Sequence, residues 1–521
     1  MATLHLVPAS LLALAVAGCA SADVPTPSGA APEELTFPEQ FLFGSAIAGF
    51  QADMGCPTMP ASACVDSGSD WYVFATDPGL VADPGTYLSG QDPAVVGPGH
   101  WELYESDFDL AENDLHHTSL RTSIEWSRIF PTATDGIEGY DALSAVADPD
   151  AVAHYHAVFA AMKARGLAPL VTLNHYALPL WIHDVVACHA DLDTCPARGW
   201  LDSERTIREI AKYAGFCARE FGADVDTWAT LNEPFAVVLP GYIYPSAERS
   251  NPPAVALKFD AAKTVLSALV EGHARMYDAV KESDQVDADG DGAASRVGLV
   301  YPMTPFAPKN PAEPLDVQGA ENAFYLWNMV YLNGVVKGDL DADLDGTAEH
   351  RDDLAGRMDY LGVNYYTRAT VEGTNFAYLP DLSPLTTFNL LTIQLWEEYP
   401  RGIYDMLTKV RDDFGLPTVV TETGVADPND DGAASRWVAQ TLTWVSRAIA
   451  DGADVRGYHY WTLMDNFEWN HGMEIRMGLY AVDKGDPAKA RTARSSVATY
   501  GRIAGEGRVA PDLQAQYPAP R

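Results

Sequence analysis

From Phe41 onward the chain alternates short apolar, β-branched runs with longer amphipathic or Ala-rich stretches. That rhythm predicts repeated β-α units around a parallel sheet. Eight runs carry it, near Phe41 to Ala46, Thr118 to Ile124, Leu167 to Leu173, Val225 to Leu231, Arg296 to Tyr301, Met358 to Val363, Leu416 to Thr421 and Val455 to Leu463. Eight parallel strands with helices between them predict an α/β fold of one closed (β/α)8 barrel spanning residues 37–505. An open sheet would more often show fewer strands and a Gly-rich nucleotide loop, and no such loop is present.

The ends of these runs change the picture, because seven of the eight carry polar or aromatic residues: Gln51, Arg121, His175, Asn232 with Glu233, Asn364 with Tyr366, Glu422, and Trp461 with Glu468 and Trp469. In a barrel these side chains converge on the C-terminal face, where such folds keep their chemistry. Each one alone is an ordinary loop or core residue; their joint occurrence is not. Glu233 lies in Trp228-Ala-Thr-Leu-Asn-Glu-Pro234, where the proline stops the ladder, and Glu422 closes Val-Val-Thr-Glu. A glutamate ending a buried strand is costly unless solvated or used, so the two suggest paired carboxylates.

With these motifs in place, the chain resembles glycoside hydrolase family 1, the retaining β-glucosidases and β-galactosidases. The resemblance runs from about Phe37 to Ile503 through Phe41-Leu-Phe-Gly-Ser-Ala-Ile-Ala-Gly-Phe-Gln51, Ile124-Glu-Trp-Ser-Arg-Ile-Phe-Pro131, Thr172-Leu-Asn-His-Tyr176, Thr230-Leu-Asn-Glu-Pro234, Leu361-Gly-Val-Asn-Tyr-Tyr366, Thr421-Glu-Thr-Gly424 and Asp465-Asn-Phe-Glu-Trp469. Gly97-Pro-Gly-His-Trp101 and Arg351-Asp-Asp-Leu-Ala-Gly-Arg357 look most like its archaeal branch. The resemblance implies Glu233 as acid/base and Glu422 as nucleophile, supported by Arg121, Asn364 and Tyr366. It implies a sugar site of Gln51, His175, Tyr176, Asn232, Glu468 and Trp469 with Trp461 as the stacking surface. The implied substrates are β-D-glucosides, with β-D-galactosides and β-D-fucosides as further candidates, and no cofactor or metal. A 6-phosphorylated sugar is not expected, since Glu468 would repel it. Three positions depart from the family: Tyr176 and Met477 replace the usual Trp and Phe, and Thr423 replaces Asn after the nucleophile. Two alternatives stand beside this reading: a transglycosidase, which shares every one of these residues, and a glycan-binding lipoprotein without turnover, which predicts loss of at least one catalytic carboxylate where both are present.

Composition narrows the setting. Lys and Arg number 34 against 72 Asp and Glu, a net charge of −38 that argues against nucleic acid or an anionic membrane as a partner. Residues 6 to 18 form a short, small-residue apolar run ending Val16-Ala-Gly-Cys19, the length of a signal-peptide core. It resembles a bacterial lipobox, which predicts removal of residues 1–18, lipidation of Cys19 and a cell-envelope location beyond the cytoplasm, with an ordinary secretory or periplasmic route as the alternative. Residues 19–36 then read as a flexible tether and 506–521 as a C-terminal tail. Export permits disulfides, and the close pairs Cys56 with Cys64 and Cys188 with Cys195 are the candidates. Cys217 is expected to be an inert core residue. Three Asp-rich stretches, beginning at Asp287, Asp341 and Asp427, resemble the start of a calcium loop, the second with Asp352 at the twelfth position; acidic turns are the favoured reading.

Overall fold

A computed structural model describes residues 35–520. Its centre is a closed barrel of eight parallel strands in sequence order: β1 (Leu42–Ala46), β2 (Ser119–Ser123), β3 (Ala168–Asn174), β4 (Thr227–Asn232), β5 (Arg296–Pro302), β6 (Tyr360–Asn364), β7 (Thr418–Glu422) and β8 (Val455–Trp461), with β8 pairing β1 to close the ring. Each lies on one of the eight runs read from the sequence. The intervening helices include α1 (His100–Asn113), α2 (Pro149–Ala164), α3 (Ser203–Phe221), α4 (Phe259–Ser283), α5 (Pro314–Phe324), α6 (Gly402–Phe414), α7 (Ala433–Ala450) and α8 (Ser495–Glu506).

The strands are covered on both faces, which is why they read as near-continuous apolar runs. Every residue of β2, β6 and β7 is buried. Inside the ring Leu170, Ala229, Val300, Tyr360 and Val419 form a packed layer, and the Tyr360 hydroxyl donates to the Trp228 carbonyl. Lower down, His459 reaches across from β8 to the Ser119 hydroxyl at 3.0 Å. Gly44 on β1 makes room for it, because a Cβ there would stand 2.6 Å from the imidazole. The layer plugs the barrel, so polar groups are left to gather above it. Outside, α3 presents Ile210, Tyr213, Ala214, Cys217 and Phe221 at helical spacing to the core, and its one buried charge, Glu209, accepts from the Thr134 hydroxyl and pairs with Lys212. Asp148 caps α2 by accepting from the Asp150 and Ala151 amides, with Pro149 at the first helical position.

Residues 35–36, at the end of the expected tether, and the segment expected as a tail are held against the barrel. Leu35–Thr36 pairs antiparallel with Arg508–Val509, and the last turn, Pro511–Gln516, buries Leu513. Gln440 of α7 donates to the Pro518 carbonyl. Short apolar residues spaced through polar sequence carry no periodic signal, yet the barrel flank offers them a surface to cover. Residues 1–34, including the apolar run and Cys19, lie outside the described residues. Cys56 is bonded to Cys64, and Cys188 to Cys195, with Cα separations of 6.1 and 4.9 Å, while Cys217 is a buried free thiol.

The Asp-rich stretches act as turns. Asp287 accepts from the amides of Gly290, Asp291 and Gly292, and Asp427 from those of Asp431 and Ala434 at the start of α7. Asp341, Asp343 and Asp345 converge, but Asp352 is exposed and turned to His350 instead.

Candidate active site

Both glutamates sit where a strand stops. Glu422 is the last residue of β7. Glu233 follows β4 in a left-handed conformation, φ 42° and ψ 60°, before Pro234 starts a short helix; its own N–H donates to the Val300 carbonyl of β5 at 2.9 Å. For a residue with a Cβ that backbone costs about 1–2 kcal/mol, and here it turns the side chain over the barrel mouth.

The carboxylates are held by different groups. Arg121, fully buried on β2, donates one guanidinium N–H to Glu422 Oε1 at 2.5 Å, a second to Asn232 Oδ1 at 2.7 Å, and its Nε–H to the Thr172 hydroxyl at 3.0 Å. Tyr366 donates its hydroxyl to Glu422 Oε2 at 2.6 Å. Among the described residues no cation pairs with Glu233. Its Oε2 accepts from the Tyr176 hydroxyl at 2.6 Å and its Oε1 from Asn364 Nδ2 at 2.8 Å. The orientation of Asn364 is set by Asn232, whose Oδ1 accepts from Arg121 and also from the Asn364 amide at 3.3 Å, which leaves Asn364 Oδ1 to accept from the Thr421 hydroxyl at 2.8 Å. One chain, Glu233 to Asn364 to Asn232 to Arg121 to Glu422, therefore links the two carboxylates.

On balance the Glu422 carboxyl is pushed up to about 7, with burial the largest cause. Arg121 pulls it back, the neighbouring Glu233 charge pushes it further up, and the Tyr366 and Arg121 hydrogen bonds favour the ionised form. Arg121 and Tyr366 are thus what keeps a buried carboxylate available near neutral pH.

Beside this pair lies a wall of rings. His175 is parallel to both Trp461 and Trp469, with centroids 5.9 and 5.7 Å apart, and Tyr176 meets Trp469 edge-on at 4.8 Å. Because Arg121 claims Asn232 Oδ1, the Asn232 amide faces His175 Nε2 at 3.2 Å. His175 must then accept there and carry its hydrogen on Nδ1, which is buried and without a partner. Burial holds this imidazole well below its ordinary proton affinity, with the Arg121 and Arg249 charges adding to that, so it is neutral. Gln51 donates to the Phe467 carbonyl and to Glu468 Oε2, at 3.1 and 3.2 Å, leaving its own Oε1 unpartnered. Burial pushes Glu468 up to about 7, against the pull of Arg249 and hydrogen bonds from Trp461 and Gln51. A lone donor on His175, a lone acceptor on Gln51 and a carboxylate on Glu468, all beside aromatic faces, suit a ligand that has hydroxyls around an apolar ring.

Every residue expected in the site is brought together here. Most are buried; Glu233, Tyr366 and Glu468 keep partial exposure at the open surface. Of the three departures, Tyr176 and Met477 belong to the site, Met477 packing, as Tyr366 does, against the cluster of Ala46, Ala48 and Trp461. Thr423 does not, since its hydroxyl accepts from the Trp437 indole of α7 at 2.9 Å, and it shapes the strand's outer face.

The sequence profile of Glycosyl hydrolase family 1 matches residues 33–508. The chain belongs to this family. It is 32% identical to the β-galactosidase of Saccharolobus solfataricus over 92% of this chain and 97% of that protein. Its structure is similar to that of the β-glycosidase from Thermosphaera aggregans, with a TM-score of 0.79, 29% identity and coverage of 93% and 100%. It is also similar to a β-glucosidase from Pyrococcus furiosus, with a TM-score of 0.76, 30% identity and coverage of 93% and 98%. The chain is a glycoside hydrolase. Within this family 1 site, Arg249 is the residue that the sequence did not point to. Its guanidinium lies 4.9 Å from the Trp469 ring centroid and 5.2 Å from that of Tyr176. The loop carrying it is pinned to the loop of Glu468 and Trp469: the Ser250 amide donates to Asn470 Oδ1 at 3.3 Å and His471 Nε2 bonds the Glu248 carbonyl at 3.0 Å.

Proposed function

We propose that the chain hydrolyses terminal β-D-glucosyl residues, and β-D-galactosyl or β-D-fucosyl residues as further substrates, by double displacement with retention of configuration. The observation that carries this reading is the unequal support of two linked carboxylates. Glu422, paired with Arg121, is the nucleophile: its oxygen forms a bond to the anomeric carbon as the bond to the leaving oxygen breaks. Glu233, held by neutral donors, gives its proton to that leaving oxygen. Once the ester has formed, the Glu422 charge is gone. Glu233, now a carboxylate, takes a proton from water whose oxygen attacks the anomeric carbon and releases Glu422. Asn232 holds the 2-hydroxyl, a contact that strengthens as charge develops at the ring. Gln51, His175 and Glu468 bind other hydroxyls, and Trp461 takes the apolar face. The Glu468 carboxylate disfavours a phosphorylated sugar.

The test is a panel of aryl β-glycosides with NMR observation of the first-formed anomer. Release of β-sugar from the β-glucoside is expected. First-formed α-sugar, or faster cleavage of a 6-phosphoglucoside, would overturn the reading, and predominant transfer to added sugar acceptor would make the enzyme a transglycosidase.

We further propose that Cys19 carries a lipid anchor at the cell envelope, on the strength of Val16-Ala-Gly-Cys19. Cys19→Ser should release the protein from the membrane fraction; a wild-type chain already soluble and beginning elsewhere would refute it.

A further inference from the structure

The acid/base glutamate has a partner whose role is visible only in the fold. Tyr176 stands where the family usually has Trp, and its hydroxyl is 2.6 Å from Glu233 Oε2. The two oxygens of Glu233 are not equivalent. Oε1 faces an amide nitrogen, and Asn364 cannot turn round to offer oxygen there because the same side of its amide faces Asn232 Oδ1, an acceptor fixed by Arg121. A proton on Oε1 would point donor against donor, so the acid form carries its proton on Oε2. Oε2 is the oxygen Tyr176 touches, and a phenol hydroxyl can both donate to a carboxylate and accept from an acid, whereas an indole N–H can only donate.

Resting on the assignment of Glu233 as acid/base, we propose that Tyr176 is its positioning residue, holding Oε2, the oxygen that gives up and regains the proton. In the first step the Oε2–H bond breaks, its proton goes to the leaving oxygen, and Tyr176 donates to the carboxylate so formed. In the second, Oε2 takes a proton from the attacking water and the tyrosine hydroxyl is again free to turn. The ring is placed for this task. Its backbone is left-handed at φ 70°, its edge rests on Trp469, and Arg249 lies over it. Behind it is a small cavity lined by Asp70, His183, Trp200 and Asn251 among others, so the ring is not wedged from the rear.

A hydrogen bond to a charged acceptor is stronger than one to the neutral acid, so Tyr176 favours the carboxylate form of its partner. Tyr176→Phe should therefore keep the acid form to higher pH. The alkaline limb of kcat/KM on an aryl β-glucoside is expected to move up by about one pH unit, with kcat down about tenfold from lost orientation. Tyr176→Trp, whose indole N–H can donate to the carboxylate but cannot accept from the acid, should hold the limb at or below the wild-type position, opposite to Tyr176→Phe. Replacing Tyr176 with 3-fluorotyrosine, a stronger donor of the same shape, should move the limb down. Limbs of Tyr176→Phe and of the fluorotyrosine protein that superpose on wild type, or shifts of opposite sign, overturn the proposal; the fluorotyrosine protein reads it even where the other two variants fail to fold. Absence of turnover by wild type would instead refute the glycosidase assignment itself.

Discussion

The surroundings of the two carboxylates differ in one respect that matters: among the described residues Glu422 is paired with a cation and Glu233 is not. A buried Arg121 with no exposed surface is expensive unless its hydrogens are used, and they are, by Glu422, Asn232 and Thr172. The site's buried positive charge is thereby committed to the group that must be negative when it attacks. Glu233, which must be acid in one half-reaction and base in the next, is held by a phenol and an amide that carry no charge. A permanent cation beside it would favour one of its two forms throughout.

If that division of labour is right, the two glutamates fail differently when removed. Glu422→Ala eliminates the atom that bonds the anomeric carbon, and turnover should fall by several orders of magnitude even with an activated leaving group, on the order of 10⁴-fold or more. Azide should then attack directly and give the α-glycosyl azide. Glu233→Ala should still form the glycosyl-enzyme from a substrate whose leaving group needs no proton. The intermediate would accumulate, visible as a burst and by intact mass, and azide would release it as the β-azide. Exchange of the two anomers would exchange the two roles.

A smaller change tests the support of Glu422. Tyr366→Phe removes a donor that favours the ionised form. With Glu422 already pushed up on balance to about 7, wild-type kcat/KM should rise with pH through that region. The variant's acid limb should lie higher, by about one pH unit, with roughly tenfold less activity at pH 6. An acid limb that stays put would separate Tyr366 from the nucleophile. The smallest effect is expected at the rim. Arg249 draws Glu468 down from the elevated value that burial gives it, so Arg249→Met should leave Glu468 protonated to higher pH. KM for an aryl glucoside should then rise about three- to tenfold near neutral pH, consistent with a contribution of about 1 kcal/mol. Values of kcat should change less, and a loss confined to kcat would place Arg249 in the chemistry instead.

Much of this was legible along the chain. The eight strands announce themselves because a sheet covered on both faces requires unbroken apolar runs, and that requirement is local. The two glutamates stood out because each closes such a run, and the disulfides because two cysteines a few residues apart in a loop have little else to reach. The outward turn of Thr423 was not legible, since its neighbours Thr421 and Glu422 both reach groups of the site, Asn364 and Arg121, and simple alternation fails there. Other features were decided by tertiary structure. The partnership of Tyr176 with Glu233 joins the ends of β3 and β4, and whether a hydroxyl on one reaches an oxygen on the other depends on strand stagger. Arg249 lies in a loop without periodicity, and its meaning comes from a fold that sets it against Trp469, far along the chain. The C-terminal segment likewise took its place from the barrel flank it covers. A strand's pattern records which face is buried; the distance between two strand ends is set by closure of the whole ring, and no stretch of sequence contains it.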